Sequence, residues 1–184
     1  MTTIDYSKAP ILSKLLNFTN AQKAELTKRI TSACATLYRV HLHQYSSTHH
    51  GSASRLGVAP TGIIDKAADE MVVTDNSITI SLPFINKAFH ALDITPKSSK
   101  WLTIPVHKDS AHKTLSQVIA MGYKTFKPKG HNVIMGYTTN PKSPVPLFAL
   151  SKHVVIPQDR SLLPGDAAIN TTLLDETHRY IFES

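Results

Sequence analysis

The stretch 71–83, MVVTDNSITISLP, decides the fold class, because the rhythm of apolar residues changes there. Upstream, apolar positions recur at helical steps. Within it, Ile78, Ile80 and Leu82 alternate with Ser77, Thr79 and Ser81, the period of two of a strand with one buried face. Asp75-Asn76 can supply a tight turn, so the segment reads as a hairpin, and Pro83, which lacks the N–H a ladder needs, ends it.

Working back from the hairpin, TGIIDKAADEM reads as a short helix and residues 19–45 as a long one. Thr19 with Gln22 three residues later matches a capping box, and SSTHHGS breaks the pattern beyond Tyr45. Leu26, Ile30, Ala33, Leu37 and Val40 recur at steps of four and three and are expected to share the buried face, with Lys23, Lys28 and Arg29 largely off it. Residues 1–18 read as an arm. Its apolar set Ile11, Leu12, Leu15, Leu16 and Phe18, interrupted by Pro10, has too few turns to stand alone and must dock on its own domain or on a neighbour.

Working forward, FINKAFHALDI reads as a short helix or turn, and WLTIPV as a strand with Pro105 near its end or on a sheet edge. Residues 108–131 are polar and basic, with Gly122, Pro128 and Gly130, and are expected to be an extended loop excursion. NVIMGY and LFALSKHVVI are strand candidates separated by the turn-rich TTNPKSPVP. The segment DRSLLPGDAAINTTLLDETHRYIF closes with a helix, with Asp166 as its expected cap and Ile169, Leu173, Tyr180 and Ile181 on its buried side. The order of elements predicts an α+β fold: an antiparallel sheet packed against a long N-terminal helix and a C-terminal helix, with extended loops, forming a single domain over 19–184 after the arm.

The totals agree with one ordinary globular domain. The chain has 184 residues, 41% hydrophobic and 18% charged. No apolar run approaches the roughly 18–20 residues that span a bilayer, and the opening MTTIDYSKAPILSKLLNF lacks the pattern of a cleaved signal. One cysteine, Cys34, excludes an intrachain disulfide or a cysteine-based zinc site in the monomer. It reads as a small buried residue, which fits a reducing, cytoplasmic place of synthesis. The formal net charge of +7 suits contact with nucleic acid or with an acidic protein surface.

Catalytic patterns are scarce. HLHQYSSTHH lacks the i,i+4 histidine pair with a nearby carboxylate that a helical zinc site needs, and a solvated helix end explains it better. There is no G-x-S-x-G elbow, and Gly51, Gly57 and Gly62 form no phosphate-binding loop. Asp65, Asp69 and Glu70 read as an ordinary solvated helix face. No catalytic, cofactor-binding or metal-binding residue is assigned, and no cofactor is expected.

The basic residues are more informative. Lys97, Lys100, His107 and Lys108 bracket the strand of Trp101. In YKTFKPKGH, Lys124, Lys127, Lys129 and His131 interleave with Tyr123 and Phe126. Cations set among aromatics can hold a nucleic-acid backbone and stack on bases, solvated lysines can simply keep a protein soluble, and either group can pair with an acidic neighbour in an assembly. Lys97, Lys100, Trp101, Lys108, Lys124, Lys127 and Lys129 are therefore the candidate interface or DNA-facing residues, with Trp101 either a core anchor or an interface hot spot.

Several of these pieces, in this order, resemble a known family. YRVHLHQYSSTHHGSASRLGVAPTGIIDKAA is similar to the helix, polar linker and turn–helix of small virion-morphogenesis proteins of tailed bacteriophages, and SITISLP to their following hairpin. ITPKSSKWLTIPVH resembles their I-x-P-K-x-x-K-aromatic-L-T-I-P-V segment, and LFALSKHVVIPQDRSLLP their late strand and proline-punctuated entry to the last helix. The resemblance covers roughly residues 35–183. Phe89-His90-Ala91-Leu92 stand where the family commonly has glycines. What the resemblance implies is a structural, non-enzymatic component of the head–tail junction (neck, tail-completion or tail-terminator protein) working as a homo-oligomeric ring. Its implied partners are connector or stopper proteins and tail tube or terminator proteins, with non-specific contact to packaged DNA and no membrane. A basic nucleic-acid-binding module is the alternative reading of the same residues.

Overall fold

The structure, a computed structural model, describes residues 17–49 and 51–183. The expected arm, residues 1–18, therefore lies almost wholly outside the described residues. The architecture is α+β, with a long N-terminal helix, a C-terminal helix and small antiparallel sheets. The described chain divides into two compact units. The first takes residues 1–47, 63–85 and 160–184, and the second takes 48–62 and 86–159.

The first unit is built on α1, Asn20–Thr48. Its start follows the capping box: Thr19 Oγ1 accepts from the Gln22 N–H at 3.2 Å, and Gln22 Oε1 accepts from the Thr19 N–H at 2.9 Å. The buried face differs from the expected one. It runs through Leu26, Thr31, Cys34, Ala35, Leu42, Tyr45 and Ser46, while Val40 is 49% exposed. Small and polar side chains carry much of this stripe, so a count of large apolar residues finds only its flank: Leu26 is buried, and Ile30, Ala33 and Leu37 are half-buried. Thr31 can be buried because its hydroxyl donates back to the Thr27 carbonyl at 2.9 Å.

After α2 (Gly51–Leu56, in the second unit), α3 (Ile63–Asp69) buries Ala67 and Ala68. A polar clasp ties α3 to α1. His43 meets Asp65 through Nδ1 at 2.9 Å and Asp69 through Nε2 at 3.2 Å, and Ser46 Oγ donates to Asp65 at 2.6 Å. The hairpin forms as read, with β1 (Val72–Val73) antiparallel to β2 (Ile78–Thr79), and Thr74 and Ser77 closing the turn. Alternation continues past the ladder: Ile78 and Ile80 are half-buried, Leu82 is buried, and Ser77, Thr79 and Ser81 are exposed. Helix α5, Asp166–Phe182, is preceded by Gly165 as its N-cap with no side-chain cap bond, so Asp166 is its first residue rather than its cap. There its carboxylate still favours the positive end of the helix dipole. Ile169, Leu173, Tyr180 and Ile181 are half-buried, as the expected side, but no residue of α5 is fully buried.

The second unit holds two sheets. β3 (Leu92–Ile94) pairs antiparallel with β8 (Val154–Ile156). A four-stranded antiparallel sheet has the order β4-β7-β6-β5, made of β4 Leu102–Pro105, β5 Lys124–Phe126, β6 Val133–Tyr137 and β7 Val145–Ser151. The strand read from WLTIPV is thus an edge strand with Pro105 at its end, where its missing N–H costs nothing.

The segment 108–131 is not an extended excursion. It holds a 3-10 turn at Lys108–Ser110, helix α4 at Leu115–Ala120, and β5. A capping box overlooked in the sequence starts α4: Thr114 Oγ1 accepts from the Gln117 N–H, and Gln117 Oε1 accepts from the Thr114 N–H at 2.7 Å. Val118 of α4 then reaches the fully buried Leu147 and Phe148 of β7, with Leu115, Tyr123, Ile134 and Val145 around them. Ser110, also fully buried, is satisfied by donating to the Leu147 carbonyl at 2.6 Å, with the His107 carbonyl at 2.8 Å.

Candidate functional site

Strand direction sorts the candidate residues. β4 and β6 run one way and β5 and β7 the other, so the sheet has two ends. At one end lie the entry to β4 with Lys97, Lys100 and Trp101, the β5–β6 loop 127–132 with Lys127, Lys129 and His131, and Lys152 just beyond β7. The Leu150 N–H donates to the Asn132 carbonyl at 2.9 Å and fixes that loop beside the end of β7. At the other end lie Lys108, after β4, and Lys124, at the start of β5. The structure thus brings five of the seven candidates to one end of the sheet and leaves two at the other.

Trp101 is the centre of the first group. It is half-buried, and the Nζ atoms of Lys127 and Lys152 lie over its indole at 5.0 and 5.4 Å from the ring centroid. Both are within the roughly 6 Å reach of a cation–π contact. Ser99 Oγ donates to the Trp101 carbonyl at 2.6 Å and steadies the approach. Sequence reading missed Lys152. The signal was the pairing of β4 with β7, whose register sets Leu102 opposite Ser151 and so brings the next residues outward, Trp101 and Lys152, to the same row. That register is a long-range fact invisible to local pattern.

Charge is distributed unequally. The second unit contains eleven Lys and Arg against three Asp and Glu, and the first nine against ten, so the whole positive excess belongs to the second unit. All three acids of the second unit are engaged: Asp93 with His153 Nε2 at 2.6 Å, Asp159 with Lys87 at 3.5 Å, and Asp109 with the Tyr123 hydroxyl at 2.6 Å. Among the described residues, none of Lys97, Lys100, Lys127, Lys129 and Lys152 has an acidic partner within 4 Å.

The other end carries a clasp. The hydrogen bond from Tyr123 holds the Asp109 carboxyl below its ordinary range and, from the other side, raises the Tyr123 hydroxyl. These directions keep Tyr123 a neutral donor and Asp109 an acceptor, which is a structural pairing rather than an acid–base couple near neutrality. His107 Nδ1 lies 3.5 Å from Asp109 Oδ2, but it accepts from the Asp109 N–H at 3.2 Å, so it is not also a donor to that carboxylate.

The remaining titratable groups have structural partners. His41 Nε2 meets the Ser161 carbonyl at 2.8 Å, while His43 turns to α3, so the two diverge as their spacing requires. Asp65 and Asp69 approach opposite edges of the His43 ring and share no point where an ion could sit. Among the described residues no group of three or more His, Cys, Asp or Glu could hold a metal ion. Ser46, and then His43, lower the Asp65 carboxyl, and burial raises the Cys34 thiol, which keeps it unreactive.

No family model, curated protein or solved structure matches the chain. The geometry of the basic end is therefore the main guide to function. Among the described residues no helix is long and apolar enough to cross a membrane.

Proposed function

We propose that the chain is a structural, non-enzymatic virion protein of the phage head–tail junction, in a neck, tail-completion or tail-terminator role, that oligomerises as a ring joining the tail to the capsid connector. The observation that carries this reading is a coincidence. The segment with the family resemblance, TPKSSKWLTIPVH, contains β4, an edge strand whose outer side has no ladder partner among the described residues. An edge strand offers a row of N–H and C=O groups to a neighbouring chain. Here Ile104 and Val106 add exposed apolar side chains to that row. Four residues and a terminal proline limit such pairing to a short, defined contact, which suits a closed ring better than open-ended growth.

The function is then geometric. Copies pair with one another, and the ring presents one surface to a connector or stopper and another to tail tube or terminator proteins. It needs no cofactor, and its place is the virion after assembly in the host cytoplasm.

The test is the mass of the purified chain in solution together with its presence in purified particles. A discrete multiple of the chain mass, found also in particles, is expected, and Ile104→Lys is expected to shift that mass toward the single chain by adding a charge to the edge. A protein that stays a monomer and is missing from particles would end the reading.

A further inference from the structure

We propose that the tryptophan-bearing end of the four-stranded sheet is a site for the phosphate backbone of duplex DNA, gripped by Lys127 and Lys152 over Trp101 with Lys97, Lys100 and Lys129 around them. Three features lead there. The first is the charge segregation: this unit is strongly basic, its three acids are all engaged, and the segments at one end of the sheet carry five lysines without acidic partners among the described residues. The second is the Trp101 contact. Two ammonium groups held at one ring concentrate positive charge there, and a phosphate beside them is attracted by both. The ring also holds the two long side chains near a fixed position, which lowers the entropy lost when they bind.

The third feature is the residue type, which separates nucleic acid from an acidic protein as the partner. The cluster is all lysine, and the only arginine of this unit, Arg55, is on the short helix α2. Cores of protein interfaces favour arginine and are depleted in lysine, whereas phosphates accept lysine as a point charge. Because ammonium groups already lie over the indole, the ring serves as their anchor rather than as an open platform for unpaired bases. This favours the charge-dense duplex over a stacked single strand and implies binding indifferent to sequence.

The inference goes beyond the docking reading above, which uses the β4 edge with Ile104 and Val106, and makes its own demand on the lysines. The experiment is a titration of the full chain against a labelled random-sequence DNA duplex over a range of salt concentrations, followed by anisotropy and by the emission of Trp101, the only tryptophan. The expected result is binding at low salt, weakening with a log–log slope of about −0.9 per phosphate contacted, and a change in Trp101 emission. The double variant Lys127→Gln/Lys152→Gln is expected to reduce the slope by about two and weaken binding about tenfold or more at low salt. Lys108→Gln/Lys124→Gln, at the other end, is expected to leave the slope nearly unchanged, and thermal melting would verify that both variants fold.

Absence of binding at low salt would overturn the inference. So would polyglutamate binding as tightly as DNA, a Lys127/Lys152 variant that titrates like the parent chain, or an equal loss from the Lys108/Lys124 pair. A monomer absent from particles that still grips DNA this way would remove the junction role and leave the site, and a ring that ignores DNA would do the reverse.

Discussion

The two compact units solve the problem of folding differently. The first is charge-balanced and helical, and much of its interior is small or polar: Thr31, Cys34, Ala35, Ser46, Ala67 and Ala68 are buried there beside Leu26, Leu42, Tyr45, Met71, Leu82, Leu162 and Pro164. Its α1–α3 contact depends on a partly exposed clasp around His43 and Asp65. The second concentrates its order in one apolar cluster of Val118, Leu147 and Phe148, and tolerates a large excess of positive charge on its outside. A compact core under a self-repelling surface is an arrangement expected where the charge serves a partner, since the repulsion brings the free chain no stability.

That contrast can be tested at the level of single residues. The largest expected effect is at Phe148, where truncation to Ala removes the centre of the cluster and should cost about 3–5 kcal/mol. Denaturant unfolding followed by Trp101, which belongs to the same unit, measures it. A loss below ~1 kcal/mol would mean that the cluster does not hold this unit together.

Next comes Gly136 on β6. A Cβ there would collide with Leu147 Cδ1 and crowd Tyr123. Gly136→Ala is expected to cost about 1–3 kcal/mol through overpacking, and a neutral result in the same assay would show that Leu147 has room to yield.

The smallest effects concern pH, and here each unit has its own group. Asp65 in the first and Asp109 in the second are both held below the ordinary carboxyl range. Such groups contribute stability that is present above the unfolded carboxyl value of about 3.9 and is lost as the pH falls through the folded value. Asp65→Asn and Asp109→Asn are each expected to flatten the acid side of the stability–pH profile while changing the neutral region by less than truncation of the core does. An acid limb unchanged in both variants would remove the clasps from the account. Because Tyr123 is raised, its contribution runs the other way: present below about pH 10, lost as the pH rises beyond it. Tyr123→Phe should therefore flatten the alkaline side.

Much of the local structure was legible because local chemistry determines it. Thr19 and Gln22 announced the start of α1, the alternation through Ile78, Ile80 and Leu82 announced the hairpin, and Pro105 marked an edge strand. The errors have physical causes. The buried face of α1 was only partly read, Leu26 being buried and Ile30, Ala33 and Leu37 half-buried, because Thr31 and Ser46 are buried with their hydroxyls satisfied, which hydrophobicity alone does not register. Helix α4 was passed over because its six residues are short and its capping pair, Thr114 and Gln117, sits in a polar run. For the candidate site, the lysines were visible as residues but their grouping was not. Sheet order and register decide that Lys152 joins Lys127 at Trp101, and that Lys108 and Lys124 fall at the opposite end.

The way the chain weaves between its units has a consequence for its synthesis. Every residue of the sheet-bearing unit has been translated once Asp159 is added, whereas the helical unit needs residues that follow Asp159 as well as α1, which is made before that unit begins. On the ribosome, the later-starting unit is therefore the earlier to be complete, and α1 waits for α5. A nascent chain halted shortly after Asp159 leaves the exit tunnel should already protect its sheet from proteolysis while α1 stays open to cleavage.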